Sequence, residues 1–317
     1  MEKISFVIPC YGSEKSIDSV INEIKETMSL QKLKFEVILV NDQSPDNVWD
    51  VIKKNVEKDS NIVGINLSRN FGQHSALMAG YSHASGDVIV SIDDDGQTPV
   101  SEVTGMLAKL EEGYDVVFAE YDEIKQKSFR VFGSFLNEKM SEYLVNKPKE
   151  IKQNSYFVAR KFIIDEMLRY QGSYPYISGL IFRATKNVAN VKVHHRDRLY
   201  GQSGYRLATL IKMWVNGFTA FSVKPLRIAT MMGFLCALCG IAYGCFTIIY
   251  RLMAPEVVMG YSSIMAALLF MGGMIMIMLG LIGEYVGRIY MCINNAPQFV
   301  IREVIQNECQ ENVVTME

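Results

Sequence analysis

The stretch Asp87-Val-Ile-Val-Ser-Ile-Asp93-Asp94-Asp95-Gly96-Gln97 sets the terms on which the rest of the chain is read. Its first half is a short β-branched apolar run, of the kind that makes a strand buried on both faces. The run stops at three consecutive carboxylates. At the carboxyl end of a parallel strand such residues point into the crevice where open α/β sheets bind ligands. Three adjacent Asp side chains repel one another, so they call for a compensating positive charge. A hard divalent cation with oxygen ligands, itself holding phosphates, meets that need. A solvated acidic turn is the plainer reading of an isolated triplet; the surrounding sequence decides against it.

Similar apolar runs lie at residues 4–9, 35–40, 62–67 and 115–119. Helical periodicity falls between them at 16–28, 48–57, 75–84 and 100–112. Strands alternating with helices at this spacing predict a mainly parallel sheet with helices on both faces. Four strand ends then converge on one crevice: residues 9–14, 41–46, 68–73 and 93–97. No Gly-x-Gly-x-x-Gly follows the first strand and no Gly-x-x-x-x-Gly-Lys-Ser/Thr occurs, which argues against a dinucleotide oxidoreductase and a P-loop NTPase. Beyond residue 120 the pattern weakens to an amphipathic helix at 128–144 and a short strand at 156–159. Residues 191–205 carry His194, His195, Arg196 and Arg198 before a Gly201-Gln202-Ser203-Gly204 turn. That cluster suits phosphate oxygens, although a solvated loop reads equally well from those residues alone.

Charge is dense up to Arg227 and then vanishes over residues 228–250 and again over 257–283. The first of these runs reaches about 34 Å as a helix, enough to cross a hydrocarbon core of about 30 Å. Two such runs joined by a short loop predict a transmembrane hairpin. Lys212, Lys224 and Arg227 precede it and Arg288 and Arg302 follow it, while the loop pairs Arg251 with Glu256. The positive-inside rule therefore puts both flanks in the cytoplasm. Residues 207–226 interleave Lys212, Trp214, Phe218, Phe221 and Lys224 with apolar side chains, as an interfacial helix does. Met1-Glu2-Lys3 runs straight into a strand pattern, with no signal-peptide pattern. A net charge of −2 gives no case for nucleic acid. Of six Cys, Cys236, Cys239 and Cys245 lie inside the first apolar run; the Cys236-x-x-Cys239 spacing there reads as small-residue packing rather than a metal or redox site. The expected organisation is a cytoplasmic α/β domain at 1–205, an interfacial segment at 206–227, a two-helix hairpin at 228–290 and a polar, acidic cytoplasmic tail at 291–317.

Five ordered motifs carry a resemblance. They are Pro9-x-Tyr11-x-x-Glu14, Asn41-Asp42-x-Ser44-x-Asp46, Arg69-Asn70-Phe71-Gly72, Asp93-x-Asp95-x-Gln97-x-Pro99 and His195-x-x-Arg198-x-x-Gly201-x-Ser203-x-Tyr205. Together they resemble the family 2 inverting glycosyltransferases of the polyprenyl-phosphate type, and the segments flanking the hairpin resemble those of bacterial members. The resemblance implies a GT-A (Rossmann-like) α/β domain followed by the interfacial region and two transmembrane helices. It implies that Pro9, Tyr11, Glu14 and Asp42 hold the nucleoside, with Arg69 also on the donor. Asp93 and Asp95 would hold Mg²⁺ or Mn²⁺ on the diphosphate, Gln97 would lie near the donor, and Arg198 and Ser203 near the phosphates. The partners implied are a UDP- or GDP-hexose, a polyprenyl (undecaprenyl) phosphate, the lipid bilayer of the inner (plasma) membrane and further copies of the chain.

The chain departs from the family pattern at three places. Thr98 stands where many members have a carboxylate, Asn154-Ser155-Tyr156-Phe157 where many have Gly-Asp-Phe-Arg, and Gly204 where Lys is usual. A hydroxyl acceptor would need the missing base. A phosphate monoester, with a second pKa near 6, is already largely ionised at neutral pH and needs none. The expected reaction is transfer of one hexose to a polyprenyl phosphate. Transfer to another envelope acceptor, or a non-catalytic nucleotide-sugar-binding scaffold, are the alternatives these departures leave open.

Overall fold

The computed structural model describes residues 3–121, 147–194, 196, 224–253, 260–294 and 297–307. Its centre is β1 (Lys3–Cys10), buried at every residue from Ile4 to Cys10. A strand with covered faces on both sides has no reason to alternate, which is why its sequence reads as a continuous apolar run. β2 (Lys34–Asn41) pairs parallel to β1 in register Cys10↔Asn41, and β3 (Ile62–Leu67) pairs parallel to β2. β4 (Val88–Ser91) pairs parallel on the other side of β1, with Val7 opposite Ser91. β5 (Val116–Tyr121), β6 (Phe157–Arg160), β7 (Val188–Val193) and β8 (Ile301–Gln306) complete one sheet of order β7-β5-β6-β4-β1-β2-β3-β8. The chain winds outward from β1 through β2 to β3 and then returns to β4 on the opposite flank. The point of return opens a crevice at the carboxyl ends of β1 and β4, where α/β sheets of this order bind ligands.

The helices α1 (Ile17–Gln31), α2 (Val48–Lys58), α3 (Gln73–Tyr81) and α4 (Val103–Glu111) connect these strands. α3 buries every residue from Ser75 to Tyr81, and Gly80 is what lets it lie so close to the sheet. A Cβ at Gly80 would come 2.3 Å from Val7 Cγ1 and 3.1 Å from Val40 Cγ2. α5 (Lys161–Leu168) and α6 (Ile177–Ala184) follow β6. The helix expected at 75–84 begins two residues earlier and ends at Tyr81. The one expected at 100–112 opens as a 3₁₀ turn, Val100–Glu102. The amphipathic helix expected at 128–144 and nearly all of the interfacial segment lie outside the described residues.

Sequence reasoning left α5, α6, β7 and β8 unread. β6 runs antiparallel to both β4 and β5, and β8 antiparallel to β3, so the sheet is less uniformly parallel than its first four strands suggest. β8 falls in what reads as a polar tail. Ser68 N donates to Val300 O at 2.8 Å and the Ile305 side chain packs on the core. Gly64 makes room for that side chain, since a Cβ there would lie 2.8 Å from Ile305 Cγ1. The polar character of this segment follows from its place at the sheet's edge, where one face and one side meet water.

A second unit, Lys212–Asn294, contains the long helices α7 (Lys224–Met253) and α8 (Tyr261–Ile293). By length and composition α8 is apolar enough over Phe270–Gly287 to cross a membrane; α7 has a shorter apolar stretch, Ala229–Tyr243. Phe234, Ile241, Phe246, Phe270, Met276 and Ile277 are all more than 60% exposed. A face of that kind is stable only when something apolar covers it. Cys236 Sγ lies 3.6 Å from Met274 Sδ of α8, a packing contact between the two helices.

Candidate active site at the switch point

The crevice is built by loops that bond to one another across neighbouring strand ends. After β1, the Tyr11 amide donates to Asp94 Oδ2 at 2.9 Å and the Ser16 hydroxyl to the Asp94 carbonyl at 2.7 Å, joining the ends of β1 and β4. The Gly12 amide donates to Ser44 Oγ at 2.8 Å and the Glu14 amide to Asp46 Oδ2 at 2.9 Å, joining β1 to β2. Glu14 returns the contact by accepting from the Asn47 amide at 3.3 Å. Asp42 accepts from the Phe71 amide at 2.7 Å and the Gly72 amide at 2.8 Å, joining β2 to β3. Turn chemistry explains why Gly, Ser, Asn and Asp dominate these loops, since their side chains satisfy backbone amides that no strand or helix serves.

The three carboxylates at the end of β4 have three different occupations. Asp93 accepts from Gln73 Nε2 at 2.8 Å through Oδ1 and from the Ser155 hydroxyl at 2.6 Å through Oδ2. Asp94 is turned toward the Tyr11 amide. Its burial pushes its pKa up to about 6, and the charges of Asp93 and Asp95 add to the shift. Asp95 Oδ1 accepts from the Gln97 amide at 3.0 Å, across a turn in which Gly96 takes φ +69°. The middle carboxylate thus joins β4 to the turn after β1, while its two neighbours bond to Gln73, Ser155 and the Gln97 amide. Among the described residues no group of three or more His, Cys, Asp or Glu is arranged to hold a metal by itself.

The structure brings Pro9, Tyr11, Glu14, Asp42, Arg69, Asp93, Asp95 and Gln97 to this end of the sheet. Tyr11 is 56% exposed, whereas Asp42 is 3% exposed. Both Asp42 oxygens carry backbone amides of the Phe71–Gly72 turn, so its carboxylate shapes that loop. Burial raises its pKa, and the two amides offset part of the rise. Arg69 lies over the Phe71 ring at 4.5 Å. Arg198 and Ser203 fall outside the described residues, as does His195.

The rest of the basic cluster is differently employed than its sequence suggests. Arg196 makes a two-pronged pair with Glu23 of α1, at 3.0 and 3.1 Å, and its amide donates to the Gln97 carbonyl at 2.9 Å. His194 Nδ1 lies 2.8 Å from Glu102 Oε1. Both residues pin the strand-end segment to the body of the domain. Thr98, one of the departures from the family pattern, is 4% exposed with its hydroxyl 2.7 Å from that of Tyr121.

Sequence reasoning put Gln73 at the end of a converging loop without giving it a role, and passed over His74. Gln73 opens α3 directly after Gly72, whose φ of +89° turns the chain into the helix. His74 packs edge-on to Tyr176, ring centroids 5.5 Å apart, and burial lowers its pKa to about 4. A polar pair at the first turn of a helix that begins in the crevice was the available signal.

The doubly wound order, with carboxylates at the strand-switch point, defines a GT-A-type α/β domain. Comparison with known proteins agrees. The model of glycosyl transferase family 2 matches residues 5–168, and that of the GtrB C-terminal hairpin matches residues 224–289. Over 312 residues the chain is 32% identical to an undecaprenyl-phosphate 4-deoxy-4-formamido-L-arabinose transferase of Shewanella sediminis, spanning 96% of this chain and 93% of that one. The glucosyl-3-phosphoglycerate synthase of Mycobacterium tuberculosis, solved with Mn²⁺, UDP and glucosyl-3-phosphoglycerate, shares the fold with TM-score 0.53 at 18% identity. That match covers 70% of this chain and 80% of the synthase. Mannosyl-3-phosphoglycerate synthase of Rubrobacter xylanophilus aligns with TM-score 0.50 at 16% identity, over 67% and 70% of the two chains. This chain belongs to glycosyl transferase family 2 and is a glycosyltransferase.

Proposed function

We propose that the chain transfers a single hexose, with inversion, from a nucleotide-sugar to a polyprenyl phosphate at the cytoplasmic leaflet of the plasma membrane. The observation that carries the proposal is the joining of Asp94 to the loop after β1 and of Asp93 to Gln73 after β3, in a chain that aligns almost end to end with an undecaprenyl-phosphate transferase. Tyr11, Glu14, Asp42 and Arg69 line the nucleoside end of the crevice on this reading, with Pro9 setting the turn that presents them. Arg198 and Ser203 are assigned to the phosphates from their place in the motif.

Asp93 and Asp95, with Gln97 beside them, offer hard oxygen donors two residues apart, a set suited to Mg²⁺ or Mn²⁺, which is commonly bound by one or two carboxylates together with substrate phosphates. Such an ion would neutralise charge on the departing nucleoside diphosphate. Gln73 and Ser155 fix the Asp93 carboxylate from both sides, so its orientation is set before substrate arrives. Ser155 occupies the position where a base would activate a hydroxyl nucleophile. An acceptor phosphate brings its own negative oxygen, so the chain needs only to exclude water and align the two substrates.

The hairpin would span the bilayer twice, α7 as well as α8, leaving the catalytic domain at 1–205 and the residues after 291 in the cytoplasm. Segment 206–227 would lie at headgroup depth, where the phosphate of a polyprenyl lipid resides. Both UDP- and GDP-sugars fit this reading, and so does self-association through the membrane helices.

The test uses membranes carrying the chain, undecaprenyl phosphate, Mg²⁺ or Mn²⁺ and a panel of labelled nucleotide-sugars, with label counted in the organic phase. One sugar transferred, and lost with Asp95→Ala, is the expected result. Transfer that survives Asp95→Ala, or transfer from no donor despite nucleotide-sugar binding, overturns the assignment.

A further inference from the structure

Beside Asp93, between the first turn of α3 and the segment that leads into β6, four chain segments meet in a closed polar ring. Asp93 Oδ1 accepts from Gln73 Nε2 at 2.8 Å. The next residue, His74, packs edge-on to Tyr176 at 5.5 Å. The Tyr176 hydroxyl accepts from Gln153 Nε2 at 3.1 Å. Two residues on, the Ser155 hydroxyl donates to Asp93 Oδ2 at 2.6 Å and closes the ring. We infer that Gln73, His74, Gln153, Ser155 and Tyr176 form the pocket for the transferred sugar, and that it selects an uncharged sugar through neutral hydrogen bonds. The inference rests on the reading that the chain uses a nucleotide-sugar donor.

Sheet order supplies the direction. β2, β1, β4 and β6 are successive neighbours. A nucleotide-sugar is linear: nucleoside, two phosphates, sugar. With the nucleoside at the β1–β3 loops and the phosphates at the end of β4, the sugar extends toward β6. β6 runs antiparallel to β4, with Phe157 opposite Ser91. The residues just before β6 therefore return to the carboxyl end of β4, which is where Ser155 meets Asp93.

The chemistry of the ring supplies the class. Apart from Asp93 its members are two primary amides, a hydroxyl, a phenol and an imidazole, groups that donate to and accept from sugar hydroxyls. His74 stays neutral at physiological pH because burial holds its pKa near 4. Among the described residues its buried Nδ1 has no hydrogen-bond partner, which leaves it open to a ligand hydroxyl. No ring member carries positive charge, so the ring itself offers the carboxylate of a hexuronate no counter-charge.

The test measures dissociation constants on the full-length chain in detergent with Mg²⁺. The probes are UDP, GDP, UDP-glucose, UDP-N-acetylglucosamine, GDP-mannose and UDP-glucuronic acid. At least one neutral nucleotide-sugar should bind more tightly than its parent nucleotide, and UDP-glucuronic acid should show no such gain over UDP. Tyr176→Phe and His74→Phe should each reduce the sugar-dependent gain by roughly five- to tenfold, the loss of one hydrogen bond, with nucleotide affinity within twofold of wild type. Tyr176→Phe removes only a hydroxyl and guards against a folding artefact at His74. A gain unchanged in both variants, no gain for any neutral sugar, or an equal gain for UDP-glucuronic acid overturns the pocket. Sugar-dependent binding that meets these expectations in a chain that transfers nothing to undecaprenyl phosphate leaves the pocket standing and removes the lipid acceptor instead.

Discussion

The Ser155 hydroxyl donates a 2.6 Å hydrogen bond to Asp93 Oδ2. A neutral donor therefore touches a site carboxylate at the position where the wider family pattern has a second carboxylate. Ser155→Asp would set two carboxylates against each other, and like charges at that distance raise the pKa of the pair. We expect the variant to lose transfer rather than gain a base, by about tenfold at pH 6.5, with partial recovery at pH 8.5 as the shared proton leaves. A steady-state pH profile with undecaprenyl phosphate as acceptor checks this. Higher activity than wild type across the range would show that the acceptor needs deprotonation after all.

His74 predicts a pH dependence of stability whose sign is fixed by burial. Its pKa falls from 6.5 to about 4 on folding, so between those values the unfolded chain binds the proton and the folded chain does not. Stability from this group is complete above pH 6.5 and is lost as pH falls toward 4, by about 3 kcal/mol at the limit. His74→Gln removes the group, so the melting-temperature difference between wild type and variant should move in the variant's favour between pH 7 and pH 4.5. Taking the difference also cancels Asp94, whose raised pKa acts in the opposite direction over much the same range. Parallel melting curves at all pH values would refute the assignment.

What could be read from the sequence, and what could not, divides along the source of stabilisation. β1 to β4 were legible because each is buried on both faces along most of its length and reads as a nearly continuous apolar run. Asp93 and Asp95 were legible because a carboxylate cluster at the end of such a strand violates the pattern around it. β8 was not, because an edge strand keeps one face in water, and Arg302 and Glu303 on its exposed side look like tail. Arg196 was misread for a related reason. Residue type announces a cation, but its partner Glu23 is 173 positions away and no local spacing announces the pair. Asp94 was passed over because its neighbours were the better ligands; only the fold shows that it joins β4 to the turn after β1.

The Glu23–Arg196 pair makes its own prediction. Glu23 Oε1 also accepts from the Val100 amide at 3.0 Å, so the pair links α1, the turn after Thr98 and the segment following β7. Both side chains are partly exposed, at 23% and 47%, which limits their coupling to about 1 kcal/mol. Glu23→Gln, Arg196→Lys and the double variant should show that coupling in thermal melts, weakening in 0.5 M salt. Because the Arg196 amide holds the Gln97 carbonyl, the single variants should also raise KM for the nucleotide-sugar two- to fivefold. Additive effects on stability would mean that the two side chains are coupled in geometry only.

Gly80 connects core packing to the site. Replacing glycine by alanine inside a helix ordinarily adds about 1 kcal/mol of stability. At Gly80 the new methyl would stand 2.3 Å from Val7 Cγ1, on a strand where Val7 and Val40 are fully buried. A β-branched valine cannot swing away cheaply, so α3 must move, and overpacking of this kind costs about 1–3 kcal/mol. The net expectation for Gly80→Ala is a loss of up to about 2 kcal/mol. Moving α3 also displaces Gln73, whose amide holds Asp93, so kcat should fall several-fold although the substitution lies about two helical turns from Gln73. Val7→Ala in the same chain opens the space the methyl needs, and the double variant should recover both Tm and kcat relative to Gly80→Ala. Recovery of Tm without kcat would separate the helix's packing from the aim of Gln73; recovery of neither would mean that the clash with Val7 is not what Gly80 avoids.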